Sequence, residues 1–493
     1  MSSDLKSFVK GITSSYAFTI AGLLISLWLV PFTLNYLSKP EYGVFIILMD
    51  MIGWLTVANL GITAAFNSKA SQLLGQKDFQ ELSFVTSTVF FSQLFSVFIV
   101  LIVGVFFVIY PEWLIPVTNS LENVQLVVAI LILNFAISYI SQPFSLLLIA
   151  NKQIHLDNYL KFGLLVTKSL LTILFLTQGF KLLSLAISSV ISTFIFSLVS
   201  WYLVKISIPE IHFKFRYWQK NRFNFLLKNG IWFSLGGIAG LLIFRMDSYL
   251  IGKFINLTTV ASFVITIKLY QIADTIHQQF FNTTRPYFAQ TFGESNLSKL
   301  SKMYNIIYYL SFIVAFTFGI AVMLINEWFI SYWVGPSFYL GSTFNIFLCI
   351  NFIIQTAVLP NRILLATTFY KIEIHNITRI FEGILKFSLC YFLVTRYGLN
   401  CIVIVSIICS LLLSNISLNI LTSKFLNESF LSKLLPFIFL IGIPLIQFYM
   451  IDILKIPLFI TLILCNIVFI VYYNFKKEEL LIIKSIVLKK QFK

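Results

Sequence analysis

Charged side chains lie inside several long apolar runs of this 493-residue sequence. Residues 229–249 are long enough to cross a bilayer as a helix, yet they include Arg245 and Asp247, and the next run includes Lys268. An ionisable side chain inside a span costs about 2.5 to 3.5 kcal/mol on insertion scales, so it usually faces a partner or a cavity. Arg245 and Asp247 are two residues apart and point to different sides of a helix, so each needs another partner. These residue types indicate either structural ion pairs or a site that binds a charged substrate or moves an ion.

The depth of each cation separates the informative positions from the others. Lys268 lies roughly 18 Å from the outer end of its predicted helix, which is too deep for its amine to reach the membrane surface easily. Lys168 and Lys386 lie only about 10 Å from the cytoplasmic ends of their helices. These two lysines either line a shared cleft or extend to the interface, and the sequence leaves both alternatives open.

A second polar face lies farther along the same helix as the deep lysine. Asp274, Gln278, Phe281 and Arg285 recur at spacings of four, three and four, which places them on one side of a helix. Pro286 follows immediately and predicts a break in the helix. Because the backbone groups freed by such a break need water, this face predicts a water-filled vestibule.

No catalytic or metal-binding constellation emerges from the sequence. The four histidines are scattered, and the five cysteines lie in apolar surroundings without paired short spacings, so neither a metal site nor a disulfide framework is indicated. The glycine-rich G-x-x-x-x-G-K-S/T motif that cradles nucleotide phosphates is absent from the sequence. We therefore expect a transporter rather than an enzyme, without a cofactor, and driven by a substrate gradient or by an ion such as H⁺ or Na⁺.

The elements that carry these side chains are predicted transmembrane helices. Hydrophobic residues make up 58% of the chain and charged residues only 11%, whereas about a quarter of a soluble protein is charged. Long uninterrupted apolar runs favour helices over barrel strands, which alternate weakly. The fold class is an all-α polytopic membrane protein with about 14 transmembrane helices. They are predicted near residues 12–37, 42–66, 84–110, 124–150, 162–178, 182–204, 229–252, 256–284, 303–328, 342–368, 380–395, 400–422, 434–451 and 456–475.

The distribution of the cations orients these helices. The formal net charge is +16, and the Lys and Arg residues concentrate in alternate loops, as the positive-inside rule describes for cytoplasmic segments. The positive charge therefore does not indicate nucleic acid, and both termini are predicted to be cytoplasmic. The first apolar run is too long for the core of a cleaved signal peptide, so we expect it to remain as the first helix.

The second half of the chain repeats the first. The pentapeptide AGLLI at residues 21–25 recurs at residues 239–243. The repeat relates the pairs Lys161 and Arg379, Lys168 and Lys386, Pro143 and Pro360, and Asp50 and Lys268. The last of these pairs predicts that two opposite charges face each other across a pseudo-twofold axis.

The repeat predicts four segments. They are a six-helix bundle at residues 1–204, a basic cytoplasmic connector at 205–228, a second six-helix bundle at 229–423, and two further helices with a basic tail at 424–493. Because each bundle has an even number of helices, the repeat is parallel, with its axis along the membrane normal and a cleft between the bundles. The basic and aromatic connector either lies as an amphipathic strip on the inner leaflet or is a solvated linker.

Two stretches resemble one transporter family. In residues 31–71 (PFTLNYLSKPEYGVFIILMDMIGWLTVANLGITAAFNSKAS), a proline precedes a tyrosine-glycine pair at the start of helix two and a leucine-glycine pair before small residues. In residues 246–270 (MDSYLIGKFINLTTVASFVITIKLY), an aspartate, a glycine and a lysine hold similar positions across helices seven and eight. With the layout of six, six and two helices, the chain resembles the polysaccharide-exporter branch of the multidrug/oligosaccharidyl-lipid/polysaccharide (MOP) transporter superfamily, the O-antigen-type (Wzx-like) flippases.

The resemblance implies a flippase that moves a glycan linked to undecaprenyl diphosphate from the inner to the outer leaflet of a bacterial inner membrane. Such a protein serves the synthesis of O-antigen, capsule or exopolysaccharide. By the family pattern, the site positions carried over are Asp247 and Lys268. The implied partners are the lipid-linked oligosaccharide, membrane lipids, and a polysaccharide polymerase and glycosyltransferases, with no nucleic acid.

A cationic cleft is the expected mechanism, because cations in a cleft with apolar walls concentrate an anion. We expect Lys268, Arg245 and Arg362 to attract the diphosphate-sugar headgroup while the polyprenyl tail enters sideways, between helices one and eight, and stays in lipid. Alternating access then releases the headgroup on the other side. The wider set of candidate cleft cations is Lys268, Arg245, Arg362, Lys168, Lys386 and Arg285. The candidate coupling or charge-pair residues are Asp50, Asp247 and Asp274.

Two other functions are compatible with the composition. A multidrug or ion antiporter of the same superfamily is one alternative, although the cleft cations would repel the organic cations that such proteins commonly export. A membrane-embedded polysaccharide polymerase or glycosyltransferase is the other, although the connections predicted on the outer side, such as residues 111–123, are short for such an enzyme. The glycan, the coupling ion and the oligomeric state do not follow from the sequence.

Overall fold

The computed structural model describes residues 3–115 and 123–430. In these residues the chain folds into eighteen α-helices joined by short turns. Their bounds are α1 Ser3–Leu34, α2 Lys39–Gly53, α3 Ile62–Gln76, α4 Phe79–Ile109, α5 Val124–Ala150, α6 Ile154–Thr177, α7 Leu182–Ser207, α8 Lys220–Phe244, α9 Met246–Phe254, α10 Leu257–Thr266, α11 Lys268–Asn282, α12 Arg285–Gly293, α13 Leu297–Trp333, α14 Ser342–Ala357, α15 Leu359–Thr368, α16 Ile372–Tyr397, α17 Asn400–Cys409 and α18 Ile416–Leu426. The helices predicted at 434–451 and 456–475, and the basic tail, lie outside the described residues.

Each predicted helix in the described part of the chain corresponds to one or more observed helices. The helix predicted at 124–150 coincides with α5. α2 begins earlier than predicted because Ser38 and Glu41 form a capping box. The Ser38 hydroxyl accepts a hydrogen bond from the Glu41 N–H at 3.4 Å, and the Glu41 carboxylate accepts one from the Ser38 N–H at 2.7 Å. These reciprocal bonds satisfy amide groups that the first helical turn leaves free.

Ten helical spans in the described part of the chain are long and apolar enough to cross a membrane. The protein is therefore a multi-pass, all-α membrane protein. Two of the predicted spans do not meet this description. The span predicted at 256–284 is divided between α10 and α11, and the span predicted at 380–395 lies in α16, which carries several charged residues. Ten of the twelve spans predicted within the described residues thus meet this description, and the last predicted pair lies outside them.

Several predicted spans are interrupted close to the charged residues that the sequence singled out. Arg245 separates α8 from α9, Ile267 separates α10 from α11, and Val358 separates α14 from α15. A π-helix at Ser410–Asn415 connects α17 to α18. An interruption frees backbone amide and carbonyl groups, and these groups need partners that lipid cannot supply.

A close contact between two backbones accompanies the interruption after α2. Residues Trp54–Asn59 form a 3-10 helix, and Leu60 and Gly61 then adopt positive φ angles of 47° and 75°. Gly61 packs directly against the backbone carbonyl of Gly230 in α8. A Cβ atom at either glycine would overlap the other backbone, so the approach of α3 to α8 requires glycine at both positions.

The chain divides into two compact units, Met1–Ala261 and Ser262–Lys493. In the first unit, α5 packs against α7 and α4, and α6 packs against α7 and α1. In the second unit, α13 packs against α14 and α11, and α14 packs against α17. The first unit includes α8 and α9, which the sequence assigned to the second bundle. The division of the chain into two repeated bundles therefore stays a prediction. The boundary between the compact units, after Ala261, differs from the predicted boundary between the bundles.

The connector between α7 and α8 runs along α4 and is held there by small polar side chains. The Ser83 hydroxyl accepts a hydrogen bond from the His212 N–H at 3.2 Å, and the Ser87 hydroxyl donates one to the His212 carbonyl at 3.1 Å. The Trp218 indole donates to the Ser92 hydroxyl at 3.0 Å. The connector is thus bound to protein, which neither of its two predicted alternatives included.

Candidate functional site

Arg245 and Asp50 form an ion pair in the first unit. α8 ends at Phe244, and Arg245 caps its C-terminus directly before α9 begins. The Nη1 atom of Arg245 donates to the Oδ1 atom of Asp50 at 2.5 Å. The Asp50 side chain is only 9% exposed and the Arg245 side chain is 56% exposed. The pair therefore joins a buried acid to a cation that remains accessible.

This contact gives Asp50 a partner that the repeat does not predict. The sequence paired Asp50 with Lys268 and left the partner of Arg245 open. The structure gives Asp50 a different partner, Arg245, since the interruption after α8 positions the guanidinium beside α2. Asp247 lies in the first turn of α9, directly after the same interruption, where the helix N-terminus favours an acid.

Lys268 is the first residue of α11, directly after the interruption at Ile267. Its side chain is half-buried. The N-terminus of a helix carries partial positive charge, so α11 adds to the charge of the lysine instead of offsetting it. The amine and the N-terminus of α11 together favour an anion beside this position.

Buried polar side chains from two other helices form hydrogen bonds around the interruption at Ile267. The Asn326 amide on α13 donates to the Thr266 carbonyl at 3.0 Å and to the Asn345 Oδ1 atom on α14 at 2.9 Å. The Tyr270 hydroxyl donates to the same Asn345 oxygen at 3.0 Å. All of these residues are buried. Their hydrogen bonds therefore replace the water that the freed carbonyl would otherwise need.

Asp274 on α11 accepts hydrogen bonds from two side chains and lies near Arg362 on α15. The Gln278 amide donates to its Oδ2 atom at 2.6 Å, and the Thr356 hydroxyl donates to its Oδ1 atom at 3.3 Å. The charges of Asp274 and Arg362 are close enough to interact. Arg362 also donates to the Gln355 carbonyl, which is freed where α14 ends. Side chains of α11, α14 and α15 thus meet around one carboxylate.

The polar face predicted along helix eight is not continuous in the structure. Phe281 is fully buried in the hydrophobic core of the second unit. No continuous vestibule therefore runs from Gln278 to Arg285, because apolar packing separates them. α11 ends at Asn282, and α12 begins at Arg285 with Pro286 in its first turn. The predicted break before Pro286 is confirmed.

A stripe of titratable side chains lies on one face of α16, and the sequence analysis missed most of it. His375, Arg379, Glu382 and Lys386 recur at spacings of four, three and four. Three of them are buried, and Arg379 is half-buried. The charges of Arg379 and Lys386 interact with that of Glu382, and the Ser414 hydroxyl in the π-helix donates to the Glu382 carboxylate. The spacing rule that found the polar face on helix eight would also have found this stripe.

The two lysines predicted as a repeat-related pair have different surroundings. Lys386 is only 3% exposed, and Glu382 lies one turn before it. Its amine therefore stays within the second unit instead of extending to the interface. Lys168 on α6 is half-buried, and the residue one turn before it is Leu164. Equivalent positions in the repeat thus have unequal electrostatic environments.

His277, which the sequence did not distinguish, links α11 to α13. Its Nε2 atom lies 3.1 Å from the Ser311 hydroxyl and 3.2 Å from the Ser311 carbonyl. The same hydroxyl is 3.2 Å from the Ala357 carbonyl, which is freed where α14 ends. Groups of three or more His, Cys, Asp or Glu side chains that could hold a metal ion are absent from the part of the chain that the structure describes.

Comparison with known proteins finds relatives in sequence and in fold. The family model described as Polysaccharide biosynthesis protein matches residues 8–292, which include Arg245 and Lys268. No curated protein matches the chain. Among solved structures, an inward-facing multidrug resistance MATE family transporter of the MOP superfamily aligns with a TM-score of 0.57 and 14% identity, over 83% of this chain and 95% of that chain.

Two further solved structures show the same similarity. A MOP superfamily transporter from Pyrococcus furiosus aligns with a TM-score of 0.57 and 14% identity, over 86% of this chain and 95% of that chain. A MATE in complex with MaD3S aligns with a TM-score of 0.59 and 14% identity, over 87% of this chain and 98% of that chain. At this identity, the alignments establish a shared fold.

Proposed function

Because the chain belongs to the polysaccharide biosynthesis protein family, a Wzx-like family of MOP-superfamily transporters and not of enzymes, we propose that it is a flippase for a lipid-linked oligosaccharide. The proposed substrate is a glycan repeat unit on undecaprenyl diphosphate. It is moved from the inner to the outer leaflet of a bacterial inner membrane for the synthesis of a surface polysaccharide. The observation that carries the proposal is the family match over residues 8–292, which include Asp50, Arg245 and Lys268.

The charges of the described residues suit a diphosphate headgroup. Arg245 keeps more than half of its side chain exposed although it is paired with an acid. Lys268 combines its own charge with the positive end of a helix. A diphosphate loses its hydration on leaving water, and cations and N–H donors supply replacement interactions. We therefore assign these two residues and Arg362 to headgroup binding.

The interrupted helices suit a transporter that works by alternating access. At Arg245, Ile267 and Val358 the helical hydrogen-bond pattern is broken, and side chains hold some of the freed carbonyls. Segments on the two sides of such a break can change their angle with less loss of hydrogen bonding than an intact helix can. We propose that these breaks are hinges. Their movement reorients Arg245, Lys268 and Arg362 and weakens their hold on the headgroup once the site has opened outward.

The remaining parts of the proposal concern orientation and partners. Both termini lie in the cytoplasm, because the loops on that side carry most of the cations. The polyprenyl tail stays in the bilayer while the headgroup crosses. Glycosyltransferases supply the substrate on the inner side, and a polysaccharide polymerase uses it on the outer side. The driving force is an H⁺ or Na⁺ gradient or the substrate gradient itself.

A leaflet assay with purified protein in vesicles tests this function. An undecaprenyl-diphosphate-linked glycan is placed in one leaflet, and its arrival in the other is followed by enzymatic or lectin accessibility. The triple variant Arg245→Gln, Lys268→Gln and Arg362→Gln is expected to lower the initial rate by about tenfold or more, equivalent to about 1.4 kcal/mol of barrier. Lys299→Gln is the matched control, since Lys299 is 58% exposed and pairs with the exposed Glu294.

Two outcomes of the assay contradict the proposal in different ways. An unchanged rate in the triple variant, with equal insertion of protein, rules out the cationic headgroup site. Transport of organic cations by the wild-type protein, with no movement of the lipid-linked glycan, rules out the flippase and supports a multidrug exporter.

A further inference from the structure

The first unit contains a cavity of about 410 Å³, lined mainly by α5, α6 and α7. Its lining includes the polar residues Ser138, Ser141, Gln142, Ser145, Asp157 and Ser200. These residues are separate from the Asp50–Arg245 pair. Hydroxyl, amide and carboxylate groups inside a membrane cost free energy unless they have partners. Their concentration around one cavity indicates a polar ligand.

The carboxylate of Asp157 forms part of the cavity wall. Its Oδ1 atom accepts from the Ser145 hydroxyl at 2.5 Å, and its Oδ2 atom lies 2.6 Å from the Lys161 amine. The Asp157 side chain is 3% exposed and the Lys161 side chain 47% exposed, so the acid is buried beside an accessible cation. The opposite charges of this pair cancel. The pair therefore provides donors and acceptors at the cavity without a net charge.

Ser200 provides an independent sign of a ligand. Its side chain is buried and lines the cavity. Among the described residues, its hydroxyl has no hydrogen-bond partner. A buried hydroxyl left in this way is less favourable than one that is paired.

Aromatic rings supply the apolar part of the wall. Phe135 and Tyr139 on α5 stack with ring centroids 5.6 Å apart and an angle of 19° between their planes. Phe196 on α7 also lines the cavity. Flat aromatic faces suit a ligand that has an apolar face and a polar edge.

We propose that this cavity binds one uncharged sugar ring of the transported glycan, a proposal that rests on the proposed flippase function. A sugar ring has C–H groups on its faces and hydroxyls around its edge, so it matches both parts of the wall. Each hydroxyl both donates and accepts, so it can bond to the Asp157 carboxylate, the serine hydroxyls and the Gln142 amide. The volume falls within the range of small-molecule sites, about 300–1,000 Å³.

The position of the cavity along the helices suits a role in the first binding of the substrate from the cytoplasmic side. Ser145 lies near the end of α5, and Asp157 lies near the start of α6. Both ends face the cytoplasm in the proposed orientation, where the lipid-linked glycan is made. Binding of the first sugar here selects a lipid that carries a glycan over bare undecaprenyl diphosphate, so the empty carrier does not occupy the transporter.

The test compares the affinity of the full-length protein, in lipid nanodiscs, for lipids with and without a sugar. The probes are undecaprenyl diphosphate and the same lipid carrying one glucose, galactose or N-acetylglucosamine. We expect the wild-type protein to bind at least one of the sugar-bearing lipids about tenfold more tightly than the bare lipid, a difference that a few neutral hydrogen bonds supply. Ser197 on α7 also lines the cavity. Ser197→Phe fills the cavity and should reduce this ratio to below about twofold without changing the affinity for the bare lipid.

Leu198→Phe is the matched control, because Leu198 is the next residue on α7 and is 52% exposed. It should keep the wild-type ratio. If Ser197→Phe does not fold, Gln142→Leu and Ser145→Ala remove polar groups with less change in volume and should each lower the ratio. A ratio near one in the wild-type protein, or a ratio unchanged in these variants, overturns the sugar subsite and leaves the flippase function standing. Failure of the wild-type protein to bind any of these lipids contradicts both proposals.

Discussion

Helices α6 and α16 occupy matching places in the predicted repeat but use their polar residues differently. On α6, the buried Asp157 bonds to Ser145 and to the half-exposed Lys161, beside an open cavity. On α16, His375 takes the place of the acid. The buried acid of that helix is Glu382, two turns farther on, where it lies between cations and a serine of the π-helix. The first helix leaves its polar groups beside an open cavity, whereas the second buries its charged groups against one another.

One further position explains much of this difference. The offset that relates Pro143 to Pro360 makes Arg362 the counterpart of Ser145. The charge of Arg362 interacts with those of Arg379 and Glu382 in the second unit. A serine leaves room for a ligand beside the acid, whereas a guanidinium fills the same place and adds a charge. Duplicated scaffolds can thus diverge into a pocket and a charge cluster through a few side chains.

The largest expected effect comes from removing the acid on each helix. Glu382→Gln should destabilise the protein by about 3–5 kcal/mol, because it leaves buried cations without a compensating charge. Asp157→Asn should cost less than about 1 kcal/mol, since Lys161 reaches water. Thermal unfolding of the purified variants in one detergent measures both. Equal shifts in unfolding temperature would show that the two helices do not differ as described.

The next effect concerns the buried hydrogen bonds around Ile267 in the second unit. Asn326→Ala removes the amide that bonds to the Thr266 carbonyl, and it should destabilise the protein by about 1–3 kcal/mol. The comparison variant in the first unit is Ser141→Ala, which removes a hydroxyl that donates to the carbonyl of Ser138 within the same helix. It should cost less than about 0.5 kcal/mol. Hydrogen exchange of the amides around Ile267 should increase in Asn326→Ala alone, and an unchanged exchange there would argue against the role of Asn326.

A smaller effect separates the two partners of the ion pair at the end of α8. Arg245→Gln leaves the buried Asp50 without its cation and should cost about 1–2 kcal/mol. Asp50→Asn leaves the more exposed Arg245, and it should cost less than about 1 kcal/mol. A double-mutant cycle should give a coupling energy, because the two side chains are in contact. Additive effects would contradict the pairing, and coupling of Asp50 with Lys268 instead would restore the pairing that the repeat predicts.

The smallest effect is the response of the α6 pair to salt. A double-mutant cycle on Asp157 and Lys161 should give about 0.3–0.5 kcal/mol at low ionic strength, as for exposed helix pairs. That coupling should decrease in about 0.5 M salt, because mobile ions screen accessible charges. The matching cycle on Glu382 and Lys386 should change little, since both side chains are buried. Equal salt dependence of the two cycles would contradict the difference between the partly exposed pair on α6 and the buried pair on α16.

The sequence predicted the helical class and most helix positions because few backbone structures other than a helix can cross a bilayer. A long apolar run has to satisfy its own backbone, so hydropathy alone locates the helix, as for the span predicted at 124–150 and observed as α5. Charged residues inside spans also stand out by their cost, which is how Arg245, Lys268 and Asp274 were found. The buried stripe on α16 was not predicted, because the cost of a charge marks single residues, whereas the stripe is defined by their helical spacing.

The sequence by itself determined that the protein crosses the membrane many times as helices, and which charged residues lie inside the predicted spans. Only the tertiary structure decided which partner each charge has, because a partner comes from a distant segment that periodicity cannot reveal. Asp50 pairs with Arg245, a partner that the repeat does not predict, since the end of α8 directs the guanidinium toward α2. The polar cavity of the first unit likewise exists only where α5, α6 and α7 meet, and its serines look like ordinary membrane-helix residues until those helices are packed.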